Sequence, residues 1–418
     1  MLRGFSFVKF AIWISLVIWF VSGWITTEPK RVSMRTPVSV QIPCEPGAAL
    51  PSLTVDEKGQ PLISWVDRTS DGVAVIRFSR WENQGWSAPK EVVRGDTWFV
   101  NWADFPTMSV LNDGTMAVHW LDKISSDTYA YGIKISLSGD RGESWSPAII
   151  PHTDRSPSEH GFLSMKSLGD RFHLAWLDGR ETLNGKPMTL RSRFLDRSGA
   201  LSEEVLLDDS VCDCCPVDAV VGADQALTFY RDRDYMEVRD IAWIRQGVTD
   251  GDPDNAALLH GDGWVQPGCP VNGPAVAGDP QSWAAAWYTE SDSMAPEGEG
   301  AVLLRGGGLE SDSSAPVHRI DAGKPLGRVD LCELPNGDYL VSWLEQREGR
   351  AQVSLRYWKP GSKPGVRWVV AETSAGRKSG FPKIMPIPES SQALVAFTAF
   401  DEENRSRVET VLIDYRSR

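Results

Sequence analysis

The segments "PLISWVDR" (61–68), "MAVHWLDK" (116–123) and "FHLAWLDGR" (172–180) share one frame: apolar residues, an aromatic, then an acid two positions on. Four more keep it loosely, "ALTFYRDR" (226–233), "WAAAWYTE" (283–290), "YLVSWLEQ" (339–346) and "LVAFTAFD" (394–401). The anchoring aromatics are Trp65, Trp120, Trp176, Tyr230, Trp287, Trp343 and Phe397, spaced by 55, 56, 54, 57, 56 and 54 residues. So constant a period marks a tandem repeat. Each unit reads as a β-rich run, a turn such as "NDG" or "PNGD", the aromatic–acidic run, a third alternating run such as "AQVSLRYW" (351–358), and a closing run such as "EEVLL" (203–207). Four short strands per unit predict a β-propeller blade. A lone four-stranded sheet cannot cover both its faces, so the blades must stack around an axis, with the repeated aromatics filling the space between them.

The sequence therefore predicts an all-β propeller of seven four-stranded blades, with six as the alternative if one unit is split. The last unit has room for three strands before the chain ends. The unpartnered run "PVSVQIP" (37–43) is expected to supply its missing outer strand and close the ring. The propeller then occupies residues 37–418 and residues 26–36 are a linker. Residues 1–25 carry Arg3, Lys9 and the 16-residue apolar run "FAIWISLVIWFVSGWI". That run suits a secretory signal, cleaved after Gly23, or an uncleaved N-terminal anchor, and either implies export with membrane contact through this segment alone. A formal net charge of −13 argues against a nucleic-acid partner, which needs a basic footprint. A small molecule or glycan is the expected ligand, and oligomeric state is not legible.

The stretch "SLSGDRGESWSPAI" (136–149) holds Ser138, Asp140, Gly142, Ser144 and Trp145 in the order S-x-D-x-G-x-S-W. This resembles the Asp-box of the sialidase (neuraminidase) superfamily, where it forms the turn between the third and fourth strands, away from the working face. The runs "VCDCCP" (211–216), "YRDRDYMEVRD" (230–240), "GCPVNGP" (268–274) and "PLGRVD" (325–330) add a likeness to exported bacterial sialidase-like proteins. The resemblance implies an Arg triad for a substrate carboxylate, a Tyr/Glu nucleophile pair and an Asp acid/base. Two departures stand beside it. Gln41 of "VQIP" (40–43) takes the place of the first arginine of the F/Y-R-I-P motif, and sialidases have six blades.

Once the repeat is phased, the loops after the second strands share a face with the loops entering the innermost strands. That rim gathers acids and arginines. They either neutralise one another or hold an anionic ligand through guanidinium forks. Arg68, Arg180 and Arg233 are the candidate triad, with Asp232, Glu237 and Tyr230 as candidate catalytic partners. On the same rim, His160, Cys215 and Cys269 fall at equivalent places in three consecutive units, with Cys212 and Cys214 a turn away. An imidazole and up to four thiols suit Cu or Zn. In an oxidising compartment the same cysteines suit a disulfide from Cys269 to a neighbour, or a free redox pair. His119, His173 and Cys332 read as core. Two functions stay open: a sialidase-like protein that binds an anionic glycan on an Arg-rich rim, with hydrolysis undecided, or a non-hydrolytic metal-binding or scaffolding propeller.

Overall fold

The computed structural model describes residues 32–248, 252–291, 293–296, 299–309 and 315–417. The apolar segment read as signal or anchor lies outside them. Seven antiparallel sheets follow one another along the chain. Their innermost strands are Ala49–Val55, Met108–Val110, His160–Leu168, Asp218–Val221, Ala275–Asp279, Pro325–Glu333 and Lys383–Ile387. Residues from all seven line one central cavity of about 440 Å³. The protein is a seven-bladed β-propeller. Blade 2 departs from the regular pattern: its sheet has three strands, and the fourth position is reduced to Ile149, which exchanges main-chain bonds with Ile135 at 2.7 and 2.8 Å.

The repeated aromatics explain the stacking. Each lies in a different apolar cluster, and each cluster mixes residues of two adjacent blades. Trp65 joins Ile63 to Ala396 and Val408 of the last blade. Trp120 packs with blade 1 and Trp176 with blade 2. Tyr230, Trp287, Trp343 and Phe397 repeat the arrangement at the next four junctions. All seven are buried, none more than 5% exposed. The acid two residues on has a structural use as well. Asp178 accepts the Trp176 indole N–H at 3.0 Å, and Glu345 that of Trp343 at 2.9 Å. Trp287 instead donates to Asp262 at 2.8 Å. A buried indole N–H needs such a partner.

The ring closes as the sequence predicts. Val38–Val40 pairs antiparallel with Thr410–Leu412 of the last long strand. Thr410 ties the seam laterally, donating to the Val40 carbonyl at 2.7 Å and accepting from the Trp86 indole at 2.9 Å. A second strand, Val32–Met34, lies in the stretch read as linker and pairs with Tyr415–Ser417. The 138–145 turn is held by Asp140, whose carboxylate accepts from the amides of Glu143 and Ser144 at 3.1 and 2.9 Å, while Trp145 packs edge-on to Phe78 of blade 1.

Trp176→Phe keeps the ring but strips Asp178, fully buried, of one donor. We expect a loss of about 1–2 kcal/mol in urea unfolding, the usual cost of an unmade buried hydrogen bond.

Candidate functional site

The rim charges are largely spent inside the protein. Arg180 is held by Asp178 at 2.7 Å and Glu204 at 2.7 Å. Arg233 is held by Glu237 at 2.7 Å and Asp213 at 3.0 Å. Two carboxylates on one guanidinium leave little of the fork for a ligand. Arg68 ends the second strand of blade 1 and is exposed. Tyr230 is fully buried and donates to Asp208 at 2.5 Å; burial and that carboxylate push its phenol far above the usual range. Asp232 is pushed up to about 6, by burial first and then by the Asp208 charge. Glu237 is held low by Arg233 and Arg239.

His160 is wholly buried in a pocket of its own. Its Nε2 lies 3.0 Å from Asp154 and 3.7 Å from Asp178, and its ring stacks on His152 at 4.0 Å. His119 and His173 are also buried, with burial pushing them down to about 3 and about 4. Among the described residues, the sulfurs of Cys212, Cys214 and Cys215 lie within 4.8 Å of one another, with no imidazole in the group. Cys214 is bonded to Cys269, so the entries to blades 4 and 5 are joined covalently across 55 residues. Cys212 and Cys215 remain thiols with sulfurs 3.5 Å apart. With Cys214 and Cys269 bonded, the site offers a metal two thiol donors rather than the five-ligand set with His160. Arg239, itself 2% exposed, donates to Cys212 at 3.1 Å. The Cys215 hydrogen bond, then the charges of Arg231 and Arg239, draw the Cys212 thiol below its usual range.

Two groups that the repeat did not single out lie beside the central cavity, next in sequence to its lining residues Val329 and Ala103 or among them, as Asp104 is. The first is Arg328, in "PLGRVD". Gly327 precedes it because a Cβ there would sit 2.3 Å from Asn272 Oδ1. The same oxygen accepts the Arg328 amide at 2.8 Å and fixes Arg328 in a left-handed conformation, φ 55°. Such backbone costs energy and persists where surroundings impose it. The guanidinium lies 4.8 Å over the Trp102 ring and donates to Ser379 Oγ at 2.7 Å and the Gly376 carbonyl at 3.0 Å. Among the described residues no carboxylate lies within 4 Å of it; burial and the Arg377 charge lower it to about 10, still a cation at neutral pH. Trp102 stacks on Phe381 at 6.0 Å, Phe381 neighbours Phe105 at 6.1 Å, and Lys383 sits 5.5 Å over Phe105.

The second is a carboxyl pair. Tyr131 Oη reaches both Asp104 at 3.1 Å and Glu159 at 2.5 Å. Asp104 lines the cavity, and burial pushes it up to about 8; burial pushes Glu159 up to about 7. Sequence reading missed this trio because its members come from three separate loops and strand ends. Elsewhere on the cavity wall charges are neutralised in pairs, Lys166 with Asp218 at 2.7 Å and Lys383 with Asp330 at 3.0 Å.

No family model matches the chain, and no curated protein matches it in sequence. Solved structures do resemble it. A polysaccharide lyase, an ulvan lyase bound to a [GlcA(1-4)Rha3S] unit, aligns over 91% of this chain and 98% of its own, with TM-score 0.56 and 12% identity. An α-L-arabinofuranosidase from Fusarium graminearum, in complex with an iminosugar inhibitor, aligns over 91% and 97%, with TM-score 0.50 and 12% identity. A protein of unknown function from Dyadobacter fermentans aligns over 92% and 99%, with TM-score 0.51 and 11% identity. At such identities the likeness is one of fold.

The Asp104 carboxyl ionises near 3.8 in the unfolded chain and near 8 in the fold. Between those values the unfolded state has shed a proton that the fold keeps, so Asp104 costs increasing stability as pH rises. Asp104→Asn removes that cost. The variant should gain on the wild type by at least about 1 kcal/mol between pH 4.5 and 7.5 in urea unfolding, one pKa unit being worth about 1.4 kcal/mol.

Proposed function

We propose that this is an exported propeller that binds an acidic saccharide at the mouth of its central cavity. The observation that carries the reading is Arg328, a desolvated cation without a carboxylate partner among the described residues, set over an aromatic ring beside a cavity large enough for a sugar. Saccharides present apolar C–H faces and, when acidic, a carboxylate or sulfate. Trp102, Phe105 and Phe381 suit the first, and Arg328 the second. A guanidinium already stripped of water pays less to meet an anion than a solvated one. Arg180 and Arg233, committed to internal acids, leave the grip to Arg328.

Cleavage in this reading falls to the Asp104–Tyr131–Glu159 trio. A carboxyl pushed up to about 8 keeps its proton at neutral pH and can pass it to a departing glycosidic oxygen. Tyrosine, Glu and Asp are also the residue types that the sialidase resemblance implies. The ulvan lyase of the same fold holds a GlcA-containing ligand, which agrees with an acidic sugar here.

Tryptophan fluorescence, with Trp102 as reporter, tests the binding. Glucuronate- and sialate-bearing oligosaccharides should quench it, whereas neutral analogues should not. Arg328→Met should weaken the acidic ligands by about tenfold or more, roughly the value of a desolvated charge-assisted hydrogen bond. Equal affinity in wild type and variant, or no binding of any acidic saccharide, rejects the reading. Turnover, followed with fluorogenic glycosides, should vanish in Asp104→Asn.

A further inference from the structure

The sulfurs are layered. Cys269 is exposed and Cys214 half-buried, and they share the disulfide; Cys212 and Cys215, each 1% exposed, lie beneath it as thiols. Cys212, Cys214 and Cys215 crowd within 4.8 Å. A disulfide meant only to brace two blades does not need two further thiols against it. The charges around them are specific too. Arg239 aims Nη1 at Cys212 Sγ from 3.1 Å. Arg231, 1% exposed, donates to the main-chain carbonyls of Asn272, Arg239 and Tyr288 at 2.6–2.9 Å, and no carboxylate of the described residues forms an ion pair with it. A buried cation lacking an acid calls for an anion nearby, and a Cys212 thiolate supplies one.

We propose that this cluster is a thiol–disulfide exchange centre, in which the Cys212 thiolate attacks Cys214 and delivers Cys269 to the surface as a reactive thiolate. The Cys212–Cys214 bond forms as the Cys214–Cys269 bond breaks. The electron pair leaves with Cys269 sulfur, and no external oxidant or reductant is consumed. Cys269 then attacks a disulfide offered from solution, forming a mixed disulfide and releasing the partner's second sulfur as thiolate. Arg239 and Arg231 hold the attacking sulfur anionic, while Cys269 on the exposed side meets the substrate. The substrate class is a disulfide, small or borne on another exported protein. This centre is separate from the saccharide reading and stands or falls without it.

The test uses the native full chain with the chromogenic aryl disulfide 5,5′-dithiobis(2-nitrobenzoate), without denaturant. Wild type should release nitrothiobenzoate with the aryl group trapped on Cys269, and acid-quenched peptide maps should show a Cys212–Cys214 disulfide. Cys212→Ser should keep Cys214–Cys269 intact and lose the Cys269 adduct, with Cys44 unchanged as the internal reference. Arg239→Met should slow the Cys269 reaction by tenfold or more, and it serves if Cys212→Ser fails to fold. The proposal is overturned if wild type keeps Cys214–Cys269 closed with no adduct, if Cys212→Ser reacts at Cys269 as fast as wild type, or if elemental analysis finds a soft metal on the four sulfurs with Cys269 unreactive.

Discussion

Everything in this molecule leans on one contact, repeated seven times: a buried aromatic of the second strand pressed against the blade before it. No blade can bury its two faces alone, so the contact makes a ring out of seven sheets that would otherwise have no reason to stay folded. It also sets the charge pattern of the rim. Where an indole N–H is buried beside a strand end, an acid must follow to accept it. Asp178 and Glu345 meet that need, and the rim acquires carboxylates that do not face a ligand.

That dual use explains what the sequence could and could not convey. The period, the strand count and the N-terminal strand that completes the last blade were legible because they depend on spacing along the chain. The functional weight of Arg180 and Arg233 was not. Whether a guanidinium is free depends on Glu204 and Asp213, which reach it from other turns and strands. His160 shows the same limit. Phasing set it beside Cys215, yet the loop before it brings His152 and Asp154 to its ring. The partnership of Cys214 with Cys269 was one of several readings, and their separation of 55 residues is one repeat, the spacing that makes neighbours of equivalent positions.

Arg328 carried a faint signal: an arginine after glycine at the entry to an innermost strand. Blades 1 and 3 enter through left-handed residues too, Leu50 and Phe162, and both are apolar. A charged side chain at that station in blade 6 is the local exception. Sequence-to-structure mismatches of this kind gather where a protein gives up stability for a task. The Asp104–Tyr131–Glu159 trio belongs with it, since burial raises both carboxyls, a burden that packing alone does not explain.

The two fastenings of the ring are unequal. Between blades 4 and 5 a covalent link backs the apolar contact. Between the last blade and the first, the apolar contact is backed only by two three-residue strands and the Trp86–Thr410–Val40 chain of hydrogen bonds. Those junctions lie on opposite sides of a seven-membered circle. Partial unravelling should therefore begin by lifting the strands of residues 32–34 and 38–40, with the first and last blades parting like a clasp while the sulfur-pinned side keeps its shape.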